Sequence, residues 1–90
     1  MNYSELHYIL CIAKHQNLTR AAQELYISQP TLTKHLQKLE REMGAKLFSR
    51  NGNTYVPTYT GRKYMEYARK ILQIKQDWEK ELKDLTENNE

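Results

Sequence analysis

Polar side chains suited to hydrogen bonding crowd a short run near the middle of the chain. This run, residues 29–34, carries one amide, two hydroxyls and an ammonium, on Gln29, Thr31, Thr33 and Lys34. Amides and hydroxyls can pair with the edges of nucleobases, and a threonine methyl can pack on a thymine methyl. Such a run can read base edges if it lies at the start of a helix that enters the major groove of DNA.

Cationic residues are concentrated in the same part of the chain. The 90 residues carry 14 Lys and Arg against 11 Asp and Glu, a net charge of +3. Residues 1–70 hold 11 basic and 5 acidic side chains, whereas residues 71–90 hold 3 basic and 6 acidic ones. Clustered positive charge favours a polyanionic partner. An ordinary solvated surface is an equally good reading of charge alone.

A second set of chemistry-bearing residues is His7, Cys11 and His15, which repeat every four positions. Imidazole and thiolate are zinc ligands, but the two histidines are about 12 Å apart along a helix and cannot meet one ion. Weak binding by two of the three stays open, but we expect no metal site and no cofactor, with Cys11 as a small buried side chain. A single cysteine also excludes an internal disulfide and fits a reducing compartment.

Composition and motifs argue against catalysis and against a membrane location. The sequence has no glycine-rich phosphate loop, acid pair or triad-like set, so we do not expect an enzyme. It has no run of about 18 apolar residues and does not begin with the basic-then-apolar order of a secretory signal. We expect a single-domain cytoplasmic protein with no membrane partner.

Hydrophobic spacing predicts three helices around the polar run. The first spans about residues 3–15, and the second runs from Arg20 to about Tyr26 with Thr19 as its N-cap. Ser28 is placed to cap a third helix, which ends at Gly44. The third helix has Pro30 in its first turn, and its predicted buried residues are Leu32, Leu36, Leu39 and Met43.

The second half of the chain predicts a β-hairpin and a long helix. Two β-prone runs, residues 46–49 and 54–56, flank the turn Asn51-Gly52-Asn53. Thr58 then caps a helix that reaches about Thr86, with Gly61 weakening its first turn. Apolar residues recur on this helix in a heptad pattern interrupted at Lys75, which predicts a dimer interface. The interface residues are Tyr64, Ala68, Ile71, Trp78, Leu82 and Leu85, although Tyr64 to Ile71 can also pack on their own domain.

Specific residues make the chain resemble LysR-type transcriptional regulators. The run Asn17-Leu18-Thr19-Arg20-Ala21-Ala22, then Leu25, and then the run from Ser28 to Lys34 look like the signature of that family. Further matching positions are Gly44, Leu47, Phe48, Arg50, Thr58 and Gly61. Lys34 stands where the family often has Arg, His35 where Gln is common, and Asn53 where the wing often carries Arg.

The resemblance implies a mainly α, winged helix-turn-helix fold: a three-helix core and a two-stranded wing, followed by a long dimerisation helix. The expected divisions are a DNA-binding domain at 1–58 and a linker and dimerisation helix at 59–86. The terminal residues themselves predict a disordered tail at 87–90. Family members usually continue into an effector-binding domain that these residues lack, so a small-molecule effector is expected only if such a domain exists. These 90 residues are either a fragment of a longer regulator or a stand-alone domain, and the sequence does not decide between the two.

Residue chemistry and the resemblance together assign functional residues to sequence-specific binding of double-stranded DNA. The resemblance itself implies base contacts by Gln29, Pro30, Thr33 and Lys34, and backbone contacts by Arg50 and the wing. Expected base contacts in the major groove are Gln29, Pro30, Thr31, Thr33 and Lys34. Expected contacts to the backbone, with the wing along the adjacent minor groove, are Thr19, Arg20, Ser28, Lys38, Arg50, Asn51, Asn53 and Thr54. A homodimer would match a DNA site with dyad-related half-sites.

Two rival functions remain to be separated by experiment. Seven tyrosines suggest base stacking on single strands or RNA, but we expect Tyr3, Tyr8, Tyr26, Tyr64 and Tyr67 at helix faces and joins, as packing residues. A protein-interaction module that uses only the long helix is the other rival. It predicts no salt-dependent DNA affinity.

Overall fold

The computed structural model describes residues 2–87, which form four helices and one two-stranded antiparallel sheet. The order is α1 (Tyr3–His15), α2 (Leu18–Leu25), α3 (Gln29–Met43), β1 (Phe48–Asn51), β2 (Thr54–Pro57) and α4 (Tyr59–Glu87). The predicted winged helix-turn-helix fold is confirmed. Within residues 2–87, no helix combines the length and the apolar character needed to cross a membrane.

The start of α2 differs from the sequence prediction. The side-chain oxygen of Asn17 accepts a hydrogen bond from the backbone N–H of Arg20 at 2.9 Å, so Asn17 is the N-cap and not Thr19. The helix therefore begins at Leu18 and buries that side chain. It ends one residue earlier than predicted, because Tyr26 adopts a left-handed conformation with φ of 57°.

The hydrophobic core lies where α1, α2 and α3 meet the start of the hairpin. Its largest fully buried side chains are Leu6, Ile9, Ile12, Leu32 and Leu47. Ala21 and Ala22 on α2 are also buried, and their small size lets neighbouring helices approach closely. Burial of this apolar surface fixes α3 relative to α2, and so determines which face of α3 remains outside.

The buried face of α3 includes a charged residue that the sequence prediction left out. Three of the predicted core residues are buried: Leu32, Leu36 and Leu39. The prediction is wrong for Met43, which is 38% exposed, whereas Glu40 is only 8% exposed. Glu40 turns inward because its Oε2 accepts a hydrogen bond from the backbone N–H of Leu47 at 2.7 Å. This contact joins α3 to the strand that follows.

The tyrosines are more exposed than the packing interpretation required. Tyr26 is 94% exposed, and Tyr3 and Tyr67 are about half exposed. The expectation that these three serve mainly in packing is therefore wrong. Tyr8 and Tyr64 are partly buried against the core, as expected.

The hairpin and the start of α4 are held together by backbone and side-chain hydrogen bonds. β1 and β2 pair in a register that joins Phe48 to Pro57 and Asn51 to Thr54. Thr58 caps α4, because its Oγ1 accepts from the N–H of Gly61 at 3.0 Å and donates to the carbonyl of Lys46 at 2.6 Å.

Gly61 allows the first turn of α4 to lie directly on the backbone of Leu47. A Cβ added at Gly61 would lie 2.9 Å from the carbonyl carbon of Leu47, with the carbonyl oxygen nearer still. From the sequence alone, Gly61 is a residue that weakens the helix and a match to the family pattern, with no packing reason for it. In the folded chain, glycine is required here for close packing.

α4 extends past the domain on which it packs, since its large apolar residues from Ile74 onward are exposed. Its 29 residues extend about 44 Å at the usual helical rise. Ala68, in the first half, is 1% exposed and faces its own core. Glu87, the last described residue, is helical, so the predicted disordered tail does not begin at residue 87. Residues 88–90 lie outside the described part of the chain.

Candidate nucleic-acid interface

The N-terminus of α3 is a rigid, solvent-exposed platform. The Oγ of Ser28 accepts from the backbone N–H of Thr31 at 3.2 Å and donates to the Oγ1 of Thr31 at 2.7 Å. Pro30 lies in the first turn, where its missing N–H costs no helical hydrogen bond. The cap and the proline together fix the direction of the residues that follow.

Two of the residues predicted to contact bases pair with each other on this platform. The Nε2 of Gln29 donates to the Oγ1 of Thr33 at 3.1 Å, and that hydroxyl donates to the carbonyl of Gln29 at 3.0 Å. The hydroxyl donates its proton to a helical carbonyl, and its oxygen accepts from the amide of Gln29, which holds that side chain in place. Pairing of Gln29 with a base would exchange this internal contact for one to the base edge.

A polar cleft separates this face of α3 from the wing, which is the hairpin of β1 and β2. The cleft has a volume of about 400 Å³ and is also open to the start of α2. Five residues predicted to bind DNA line it: Thr19, Gln29, Thr33, Arg50 and Asn53. The structure therefore brings together residues that are up to 34 positions apart in the sequence.

The cleft also contains residues that the sequence interpretation did not select. These are Asn17, Leu18, Gln37 and Tyr55. Gln37 lies one helical turn after Thr33 on α3, a spacing that could have identified it. Asn17 and Tyr55 carry no such signal, because their position depends on the packing of the wing against the end of α1.

One hydrogen bond ties the wing to α1, and two contacts within the wing hold Arg50. The N–H of Tyr55 donates to the carbonyl of Gln16 at 2.9 Å, which ties β2 to the end of α1. The Nε of Arg50 donates to the carbonyl of Gly52 at 3.0 Å, and its guanidinium lies 5.5 Å from the centre of the Tyr55 ring. Gly52 takes a left-handed conformation with φ of 62°, as the tight turn requires. Arg50 is thus held at the cleft.

The remaining residues predicted to contact DNA are exposed but do not line the cleft. They are Arg20, Ser28, Pro30, Thr31, Lys34, Lys38, Asn51 and Thr54. Lys38 borders a different depression, next to Tyr8 and His35, and its Nζ is 3.9 Å from a carboxylate oxygen of Glu42. A role for Lys38 in binding DNA stays a prediction with less support than that of Arg50.

The second half of α4 carries an apolar strip beyond the reach of the domain core. Ile74 is 67% exposed, and Trp78, Leu82 and Leu85 are 54%, 41% and 48% exposed. Ile71 is partly buried, and Lys75 lies over the ring of Tyr3. Of the predicted interface residues, Ala68 has almost no surface to offer a partner, and Tyr64 is partly buried in its own domain.

Away from the cleft, α1 and α2 bring three potential metal ligands together. The thiol of Cys11 donates to the Oε2 of Glu24 at 3.0 Å, while the Nε2 of His15 lies 3.1 Å from Oε1. Hydrogen bonds from Cys11, Lys14 and His15 lower the pKa of Glu24 to about 2. Burial, together with Glu24, raises the pKa of Cys11 to about 12. The spacing of His7, Cys11 and His15 gave no indication of Glu24.

Comparison with known protein families places this arrangement among bacterial regulators. Residues 3–62 match the family model described as bacterial regulatory helix-turn-helix protein, lysR family. The transcriptional regulator CitR of Bacillus subtilis is 38% identical over 85 residues, which are 94% of this chain and 28% of CitR. The RuBisCO operon transcriptional regulator of Allochromatium vinosum is 38% identical over 81 residues, 90% of this chain and 27% of that protein. This chain thus spans under a third of the length of these relatives.

Solved structures show the same fold over nearly the whole chain. The DNA-binding domain of CbnR in a complex with DNA has a TM-score of 0.88 and 29% identity, covering 96% of this chain and 99% of that one. The DNA-binding domain of BenM in a complex with benA site 1 DNA has a TM-score of 0.90 and 30% identity, covering 96% and 97%. Both similarities extend through α4.

Proposed function

The chain belongs to the LysR family of bacterial helix-turn-helix regulators, and we propose that it is the DNA-binding part of a transcriptional regulator. One observation carries the proposal: the capped start of α3 presents Gln29 and Thr33 to a cleft that the wing closes with Arg50. A helix of this kind fits the major groove, and an arginine at the wing fits the phosphate backbone beside it. The similar domains of CbnR and BenM are in complexes with DNA.

We assign two different roles to the exposed residues around the cleft. Those on the first turns of α3 contact base edges: Gln29, Pro30, Thr31, Thr33 and Lys34. Those on α2, the α3 cap and the wing contact phosphates: Thr19, Arg20, Ser28, Arg50, Asn51, Asn53 and Thr54. Phosphate contacts supply affinity and salt dependence, whereas base contacts supply sequence preference.

We propose a homodimer formed through the second half of α4. An exposed apolar strip whose residues recur every three or four positions along one face of a helix is expected to pack against a second copy. The strip includes Ile71, Ile74, Trp78, Leu82 and Leu85. A two-fold dimer places two α3 helices about one or more turns of DNA apart, so the binding site should consist of two dyad-related half-sites.

A regulator of this kind acts by binding and not by catalysis, in the cytoplasm where bacterial DNA is found. We assign no enzymatic step to these residues. We also assign no effector: recognition of a small molecule would belong to a further domain of a longer protein. CitR and the RuBisCO operon regulator, of which this chain covers under a third, are both named as transcriptional regulators.

The base contacts can be tested on duplexes that the chain itself selects from a random pool. Thr33→Ala is expected to weaken binding to the selected duplex by about 1 kcal/mol, the net value of one hydrogen bond, and binding to random duplex far less. Thr60→Ala is the matched control, since Thr60 is exposed on the first turn of α4. Equal weakening of both duplexes by Thr33→Ala contradicts its role in reading sequence.

The dimer can be tested by sedimentation equilibrium. Trp78→Glu places a charge in the apolar strip and is expected to shift the chain towards monomer at micromolar concentration. Gln76→Glu adds the same charge at an exposed position outside the strip and is expected to leave the dimer intact. An unchanged dimer in the Trp78 variant contradicts the proposed interface.

A further inference from the structure

We propose that Cys11, His15 and Glu24 form a binding site for one divalent transition metal ion, with zinc as the best match. One sulfur, one nitrogen and one oxygen from these residues all lie within 4.8 Å of one another. In a tetrahedral zinc site such ligand atoms are about 3.5 Å apart, given zinc bonds of 2.0–2.3 Å. Small side-chain rotations therefore suffice to close the three atoms around an ion.

The backbone of the site is already rigid. Cys11 and His15 are four residues apart on α1, so both point to the same side of that helix. Glu24 comes from α2, which is held against α1 by the buried Ala21 and Ala22. The ion would have to order few additional groups, because two packed helices already set the positions of its three ligands.

The three ligand types suit a metal ion of intermediate softness, such as zinc, with one coordination position that the protein does not fill. Zinc would displace the proton of the Cys11 thiol, which is released to water. The resulting thiolate, an imidazole and a carboxylate are all common zinc ligands, and three protein ligands leave the fourth place to water. The Cys11 side is buried, whereas the side chains of His15 and Glu24 are 24% and 44% exposed. The water ligand would therefore lie on the solvent side.

Lys14 is paired with the carboxylate of Glu24 that a metal ion would bind, so the ion would have to displace it. Its Nζ lies 2.7 Å from the Oε1 of Glu24, but its side chain is 65% exposed. An exposed ion pair contributes little to stability, so the lysine can turn into water at small cost. A divalent cation bound to Glu24 then takes the place of the singly charged Lys14 ammonium beside that carboxylate.

A metal at this site would link α1 to α2, the first helix of the helix-turn-helix. None of the three ligands lines the polar cleft between α3 and the wing, so the metal proposal stands independently of DNA binding. Because the unfolded chain does not hold the three ligands together, metal binding should stabilise the fold. The melting temperature is then expected to rise with zinc concentration.

Titration of the reduced 90-residue chain with Co²⁺ tests the site directly. We expect a thiolate-to-cobalt charge-transfer absorption and visible d–d bands that saturate at one equivalent, and that added zinc abolishes. His15→Ala and Glu24→Gln are each expected to weaken cobalt binding by more than about tenfold, at least the loss seen when outer-shell partners are removed. His7→Ala is the matched control, since His7 is exposed, is also four residues from Cys11 and is outside the cluster.

Three outcomes would overturn the proposal. They are the absence of charge-transfer absorption at stoichiometric cobalt, an equal loss of affinity in His7→Ala and His15→Ala, and a melting temperature that zinc does not raise. Cys11→Ala should abolish the charge-transfer band. If that variant fails to fold, His15→Ala and Glu24→Gln still decide the question, because their side chains are partly exposed and circular dichroism reports whether each remains folded.

Discussion

Replacing Glu40 by alanine tests how the recognition helix α3 is joined to the wing. The carboxylate of Glu40 is buried and accepts a hydrogen bond from the N–H of Leu47 at 2.7 Å. Leu47 is fully buried, and its backbone precedes the first strand of the wing. Removal of the carboxylate leaves that N–H inside the protein without its acceptor.

The size of the effect follows from the kind of bond that is lost. A hydrogen bond to a charged group contributes about 1.5–3 kcal/mol, and a buried N–H left unpaired costs about 1–3 kcal/mol. Lys46 is 3.7 Å from the other oxygen of Glu40 but is 78% exposed, so that ion pair adds little. We therefore expect Glu40→Ala to lower the free energy of unfolding by about 2–3 kcal/mol.

Urea unfolding at one fixed protein concentration measures this loss, because the stability of a dimer depends on concentration. Glu42→Ala is the matched control: Glu42 is exposed and 3.9 Å from Lys38, so its loss should cost under about 0.5 kcal/mol. Glu40→Gln keeps an acceptor oxygen and should lie between the two. A Glu40→Ala variant as stable as Glu42→Ala would refute the assigned role.

Two further substitutions test the packing of α4. Gly61→Ala should destabilise the chain by about 1–3 kcal/mol in urea unfolding, because the added Cβ would collide with the backbone of Leu47 and outweigh the better helix propensity of alanine. Thr60→Ala, one residue earlier, should be neutral or stabilising. A stabilising Gly61→Ala would contradict the contact with Leu47. Burial and the nearby Glu5 raise the pKa of Tyr64 above its ordinary value of 10.0. The unfolded chain therefore ionises this tyrosine first, and stability is lost as the pH rises above about 10. Tyr64→Phe removes that titration along with a buried hydroxyl that has no hydrogen-bond partner among the described residues. Its melting temperature should therefore equal or exceed that of the parent at pH 7 and fall less steeply above pH 10; a lower melting temperature at pH 7 would contradict this reading.

Local signals in the sequence were sufficient for the elements that carry the interface. Ser28 followed by Pro30 identified the start of α3, and Gly44 identified its end, because caps and left-handed residues act within a few positions. The turn at Gly52 identified the wing in the same way. The family resemblance then assigned DNA contacts to residues on α3. Most of these are exposed as soon as the bounds of α3 are placed correctly.

Contacts between distant elements were beyond the reach of that reasoning. Glu40 is buried only because the N–H of Leu47 lies opposite it, and Gly61 is required only because α4 crosses the same backbone. Glu24 joins Cys11 through the packing of α2 on α1. In each case the burial or the partner comes from a separate element, so residue type and spacing within one helix carry no signal of it.

Binding to a labelled random-sequence duplex, followed by fluorescence anisotropy at several salt concentrations, tests the central claim most directly. We expect affinity to fall steeply as salt rises, with the slope of log K against log salt shallower by about 0.9 in Arg50→Ala, the share of one phosphate contact. Lys80→Ala, which removes an equal charge from the acidic end of α4, should leave the slope unchanged. Absence of binding at low salt would contradict DNA recognition and favour a protein-interaction module instead.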